Sequence, residues 1–88
     1  MNYRIEVNQS AAKALKNIPK AGRKRIIEKI DSLSENLPNP EATKMKGNNP
    51  FHKVRTGDSR IIYEIQEDVL VILIVKVGHR KDIYRNLP

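Results

Sequence analysis

The sequence predicts an α+β fold, with an N-terminal strand, a two-helix antiparallel hairpin and a small, mainly antiparallel sheet that the helices cover. Three observations carry that expectation. Residues 3–7 (YRIEV) alternate apolar and polar side chains, the period of a half-buried strand. Ile26, Ile30, Leu33 and Leu37 recur at the spacing of an amphipathic helix. Residues 51–85 hold three strand-like runs closed by a basic stretch, read as a short C-terminal tail or helix. With 88 residues, 39% of them hydrophobic, the chain builds one modest core and one domain, 1–88.

Each element follows from local chemistry. Tyr3, Ile5 and Val7 form the inward side of the first strand. Asn8 or Ser10 supplies the side-chain oxygen that caps the next helix, along which Ala11, Leu15 and Ile18 repeat. That helix stops before Pro19, because a residue preceding proline avoids the α region. Pro19 itself suits the first turn of a second helix, where its missing donor costs nothing. Ile27 widens the apolar stripe of this helix, and Pro38 and Pro40 end it. Residues 41–49 read as a loop with a short extended piece at 43–46.

Strands are expected at 51–56, 59–66 and 69–77, with Gly57 and Asp58 as a tight hairpin turn. That turn sets Arg55 opposite Arg60, with Lys53 two residues along the same face. Val54, Ile61, Tyr63 and Ile65 then point into the core beneath the helices. The last strand is apolar on both faces, so its register is not fixed by pattern. A two-residue turn at Glu67 and Asp68 gives one facing and a three-residue turn the other. Either way an apolar strip remains on the face away from the helices, to be covered by the C-terminus, a partner chain or both, with a partner the expected cover.

Composition narrows the function. The absence of cysteine excludes a disulfide framework and a thiolate metal site. The N-terminal stretch MNYRIEVNQS is broken by charge and does not read as a signal peptide. The longest apolar run, 69–75, is too short to span a bilayer, so a cytoplasmic protein without membrane contact is expected. A net charge of +7 favours polyanionic partners. The positive charge gathers on two surfaces. Lys20, Arg23, Lys24, Arg25 and Lys29 lie on the second helix, and nine further basic residues lie from Lys44 onward. No Asp/Glu/His set has the spacing of metal ligands, and neither a glycine-rich phosphate loop nor a nucleophile triad is visible.

Like charges directly opposite on neighbouring strands are destabilising. A pairing of Arg55 with Arg60 is therefore a local cost, of the kind expected where a site must hold an anion such as phosphate. Arg80 follows the last strand at the same end.

The segment KMKGNNPFHKVRTGDSRIIYEI, followed by VGHRKDIYR, resembles the RelE toxins of the RelE/ParE superfamily, the toxic halves of toxin–antitoxin pairs. The resemblance covers nearly the whole chain and includes a Lys-x-x-Gly loop from Lys44 to Gly47. It implies a cytoplasmic, ribosome-dependent and metal-independent endoribonuclease that needs no cofactor. Such an enzyme cuts mRNA in the ribosomal A site when the 2′-hydroxyl attacks the adjacent phosphate. A RelB-like antitoxin is implied as partner, in a hetero-oligomer.

By the same resemblance the active residues are Lys53, Arg55, Arg60, Arg80 and Tyr84. Fixed guanidiniums stabilise the extra charge of a phosphoryl transition state, the role given to Arg60 and Arg80. Arginine does not release its proton, whereas a lysine among cations does so more readily, which makes Lys53 the base candidate. RelE members can carry lysine at both strand positions, so Arg55 is a departure and reads as a charge stabiliser. Tyr84 is placed to stack on a substrate base, although C-terminal packing accounts for it nearly as well. His79, beside Arg80, is a second acid–base candidate, since imidazole titrates near neutrality. His52 has the opposite parity from Lys53 and reads as structural. Lys20, Arg23, Lys24, Arg25, Lys29, Lys44, Lys46 and Lys81 are expected to grip RNA or ribosome through phosphates. Two alternatives share the fold: a ParE-like inhibitor that binds DNA gyrase without cutting RNA, and a binding module with a degenerate site.

Overall fold

The structure, a computed structural model, describes residues 3–35, 43–44 and 50–79. Asn8 begins the helical layer. Its side-chain Oδ1 accepts from the Ala11 backbone N–H at 2.8 Å, so of the two expected caps Asn8 is the one used. Strand β1 (Arg4–Val7) precedes it, and α1 (Gln9–Lys16) and α2 (Lys20–Leu33) follow. Pro19 is extended (φ −54°, ψ 148°) and caps α2 instead of occupying its first turn, with its carbonyl accepting from the Arg23 N–H at 2.9 Å.

The remaining elements are β2 (Thr43–Lys44), β3 (Phe51–Thr56), β4 (Ser59–Gln66) and β5 (Val71–His79). They join β1 in one five-stranded sheet of order β1-β5-β4-β3-β2. Only β1 and β5 run parallel. After β1 the chain passes through α1 and α2 to β2 at the opposite edge and returns by β3 and β4, so β5, last in sequence, lies between β1 and β4, and both helices pack on one face. The predicted extended piece at 43–46 is seen for Thr43 and Lys44. Lys46, Arg80, Lys81, Tyr84 and the C-terminal tail lie outside the described residues.

The core lies between the helices and that face. Ala11, Ile26, Ile30 and Leu33 from the helices meet Val54, Ile61, Tyr63, Ile72, Ile74 and Val77 from the sheet, all buried, with Tyr3, Ile5, Leu15, Ile18 and Ile65 packed around them. Full burial of one large aliphatic side chain is worth about 1.5–3 kcal/mol, so this layer is the main source of stability. Two expected inward residues are not inward. Ile27 is 43% exposed, because the helix buries the row Ile26–Ile30–Leu33 and turns Ile27 about 100° away from it. Val7 is 39% exposed at the end of an edge strand, where the chain turns away into α1. Arg4 and Glu6 face outward on β1 and form an exposed ion pair at 2.8 Å, a charged edge that discourages further strand pairing.

Tyr63 is fully buried, and its ring stacks on His52 with centroids 5.5 Å apart and planes 19° from parallel. Burial pushes the Tyr63 phenol above its ordinary value. The folded chain therefore keeps a proton that the unfolded chain releases first. Stability from this group is constant below about pH 10 and falls as pH rises beyond it. Tyr63→Phe is expected to flatten that alkaline decline relative to the parent, as read by urea unfolding between about pH 9 and about pH 11.

The hairpin β3–β4 has the predicted two-residue turn. Gly57 takes φ +61° at the first central position, and Asp58 keeps an ordinary φ, the pattern of a type II′ turn. The β4–β5 connection departs from both expected turns. It has four residues, 67–70, so β5 starts at Val71 and not at Val69. Leu70 closes that loop in the left-handed region (φ 54°), and its carbonyl accepts the Arg4 N–H at 2.8 Å.

Within β5 the register shifts. Tyr63 pairs with Ile74 and Ile62 with Lys76, which leaves Val75 as one extra residue, a β-bulge. Ile72, Ile74 and Val77 thereby all reach the helix side. On the other face Ile62 and Val75 are buried, with Phe51 and Leu73 packed against them. Val71, also on that face by its pairing with Gln66, is 2% exposed. The apolar strip expected to need a partner is thus already shielded within the single chain.

Candidate nucleic-acid interface

The pairing Arg55↔Arg60, next to the β3–β4 turn, is the centre of the candidate site. A two-residue turn fixes the register of the strands it joins, so the two arginines face each other for a reason written in Gly57 and Asp58. Directly opposed residues hold their Cβ atoms about 4.5–5.5 Å apart. Arg55 is exposed and Arg60 half-buried. Neither has a carboxylate partner among the described residues; Arg60 makes only a long contact to the Ser59 carbonyl, Nη1 to O 3.4 Å.

Lys53 lies on the same face, opposite Ile62, and is half-buried. Across Ile62 on its other side stands Lys76. The row Lys53–Ile62–Lys76 therefore crosses three strands, one step from Arg60, and Gly78 faces Arg60 without a side chain. Lys76 was not among the residues expected at the site. It is the one charged residue of the strand between Val71 and Val77, which was its only signal, and the bulge that decides its facing has no signature in the sequence. The acid Glu64 also belongs to this face but sits farther from the turn, between Phe51 and Leu73.

His79 pairs with Ser59, so it lies on the helix side of the sheet and not with Lys53, Arg55 and Arg60; its side chain is exposed. His52, stacked on Tyr63, has the structural role read from its parity. Lys44 pairs with His52 at the sheet edge. On α2, Lys20, Lys24 and Arg25 are exposed, and Arg23 and Lys29 are half-buried.

The end of the hairpin and α2 enclose two adjoining grooves. One, of about 490 Å³, is lined among the described residues by Lys29, Arg55, Thr56 and Gly57. The second, of about 310 Å³, is lined by Arg25, Glu28, Lys29, Ser32 and Thr56. Cationic side chains thus occupy both sides of the same sheet end. Among the described residues, no group of three His, Cys, Asp or Glu is placed to hold a metal, and no helix is long and apolar enough to cross a membrane.

Comparison with known proteins agrees with this arrangement. Residues 5–84 match the family model of the ParE toxin of the type II toxin–antitoxin system parDE. The chain is 33% identical to a toxin-complex chain in the crystal structure of the archaeal RelE–RelB complex from Pyrococcus horikoshii, with a TM-score of 0.76 over 93% of this chain and 99% of that one. It is 30% identical to a chain of the RelB–RelE antitoxin–toxin complex from Methanococcus jannaschii, with a TM-score of 0.73 over 94% and 99% of the two chains. A RelBE toxin–antitoxin complex from Mycobacterium tuberculosis, at 21% identity, shares the fold with a TM-score of 0.81 over 91% of this chain and 100% of that one. The match along 5–84, together with relatives at 30% identity or more over nearly their full length, shows that the chain belongs to the RelE family of the RelE/ParE superfamily, the toxins of type II toxin–antitoxin systems.

Proposed function

We propose that this toxin is an mRNA endoribonuclease that acts in the ribosomal A site. The observation that carries the reading is the opposed Arg55–Arg60 pair, without a neutralising carboxylate among the described residues and flanked by Lys53. Two guanidiniums held across from each other are a standing cost of folding that an anion between them relieves. A phosphate gains a further charge as the 2′-hydroxyl attacks it, and fixed donors stabilise that state more than the ground state. Arg55 and Arg60 take this role, with Arg80 as a third cation. Lys53, half-buried beside them, accepts the 2′-hydroxyl proton. Tyr84 stacks on a base of the unpaired strand, a common use of aromatics with RNA. The O2′–P bond forms as the P–O5′ bond breaks, and the departing 5′ oxygen takes a proton from water, which leaves a 2′,3′-cyclic phosphate and a 5′-hydroxyl.

A RelB-like antitoxin is the proposed partner, since the related toxins from P. horikoshii and M. jannaschii are seen in RelB–RelE complexes. The exposed Lys20 and Lys24 of α2 are proposed to hold ribosomal RNA by phosphate contacts, which weaken steeply with salt. A second reading, binding of DNA gyrase without cleavage, has one specific support: the matching family model is that of the ParE toxin.

Primer extension on mRNA separates the two. Purified toxin in a translation mixture is expected to produce cuts within A-site codons only when ribosomes are present. Cuts on naked RNA would keep the chemistry and remove the ribosome. Intact mRNA with undisturbed translation would overturn the nuclease reading in favour of gyrase.

A further inference from the structure

We propose that the groove between α2 and the β3–β4 hairpin binds phosphates of the same RNA strand that is cut on the sheet face, so that the strand bends around the hairpin end at Arg55. This rests on the nuclease reading. Arg55 is the link: it opposes Arg60 on the sheet face and also lines the 490 Å³ groove on the helix side. A strand leaving the scissile position meets Arg55 first and the groove directly beyond it.

The groove has the chemistry of a phosphate site. Lys29 and Arg55 supply charge, and the adjoining groove adds Arg25, against one carboxylate, Glu28, among the described lining residues. The Ser32 hydroxyl is committed to the Lys29 carbonyl at 2.6 Å. The Thr56 hydroxyl has no such bond among the described residues, and Thr56 borders both grooves, so it is the neutral donor at their junction. Gly57 adds backbone without a side chain, and a Cβ there would meet nothing within 4 Å, so the space beside the turn is open. No aromatic or large aliphatic side chain lines either groove among the described residues, which disfavours a base or an apolar ligand there. An acidic peptide would satisfy the same cations, but the continuity through Arg55 with the sheet face favours the nucleic-acid strand.

The test uses the full-length chain and 2′-O-methyl RNA, which lacks the attacking hydroxyl. Binding is followed by fluorescence anisotropy across a salt series, with an oligonucleotide of about eight residues and with a dinucleotide that fills only the sheet face. Lys29→Gln is expected to reduce the salt slope of the longer RNA by about 0.7, the loss of one phosphate contact, and to leave the dinucleotide slope unchanged. Arg25→Gln, an exposed change that keeps the test open if Lys29→Gln fails to fold, is expected to act in the same way. An unchanged slope for the longer RNA in both variants would overturn the proposal, as would equal losses with both probes. If Arg60→Gln weakens both probes while the groove variants do nothing, the groove is excluded and the nuclease reading stands. A parent chain that binds neither probe, yet cuts mRNA in the translation mixture, excludes the groove alone. One that neither binds nor cuts removes both. Binding of polyglutamate that depends on Lys29, with RNA binding that does not, would assign the groove to an acidic partner and overturn the proposal.

Discussion

Arg60→Ala is expected to slow mRNA cleavage by about a hundredfold to a thousandfold, the usual cost of removing one fixed donor from a developing oxyanion. The same site makes an opposite expectation for stability. Arg55 and Arg60 repel each other across the β3–β4 ladder, so Arg60→Gln, which keeps most of the stem and removes the charge, is expected to stabilise the fold by about 0.2–1 kcal/mol. An Arg60 outside the mechanism would show the stability gain without the large rate loss. Single-turnover cleavage and urea unfolding on the same two variants read both quantities. Full cleavage activity in Arg60→Ala would remove this residue from the mechanism.

Lys53→Ala carries the other large effect. Loss of a general base costs about 10²–10⁴ in rate, and loss of a nearby charge costs less. Lys53→Arg separates the two roles, since a guanidinium restores charge but does not release a proton at any pH the fold survives. Lys53→Arg is therefore expected to recover little activity and to lose the pH dependence of the chemical step. Recovery of full rate with an unchanged pH profile would make Lys53 a charge stabiliser and move the base elsewhere. Lys53 is half-buried, opposite the fully buried Ile62 and on the same face as Arg55 and Arg60.

The parts of this domain that were legible in the sequence are those set by short-range chemistry. The two-residue turn at Gly57 and Asp58 fixed the β3–β4 register, and with it the shared face of Lys53, Arg55 and Arg60 and the opposite core row Val54, Ile61 and Tyr63. The cap at Asn8 and the first three residues of the predicted stripe, Ile26, Ile30 and Leu33, were equally local, although α2 ends at Leu33, before the expected stop at Pro38 and Pro40, and Leu37 lies outside the described residues. What was not legible depended on β5. A strand apolar on both sides gives no parity signal, and its register was set by a four-residue turn closed by Leu70, a residue type with no preference for the left-handed region. The facing of Lys76 and His79 hung on that register and on the bulge at Val75. Whether Val71 and Val75 are shielded by the chain itself or by a partner was left open for a related reason: pattern shows which residues are apolar and not what packs against them.

The bulge also gives the sheet a tolerance to changes of length. Removal of Val75 leaves Tyr63 opposite Ile74 and Ile62 opposite Lys76, now in an unbroken ladder. Removal of Leu73 would bring Val75 opposite Tyr63 and send Ile74 to the far face, exchanging one aliphatic residue for another on each side. Either shortened strand still presents Lys76 and Gly78 beside Arg60. The β3–β4 pair holds no such spare residue. A deletion between Arg60 and Tyr63 would swap the polar and core faces of everything on one side of it. Natural shortening of this domain can therefore pass through β5 and leave the basic face intact, whereas β3 and β4 are fixed in length by the charges they align.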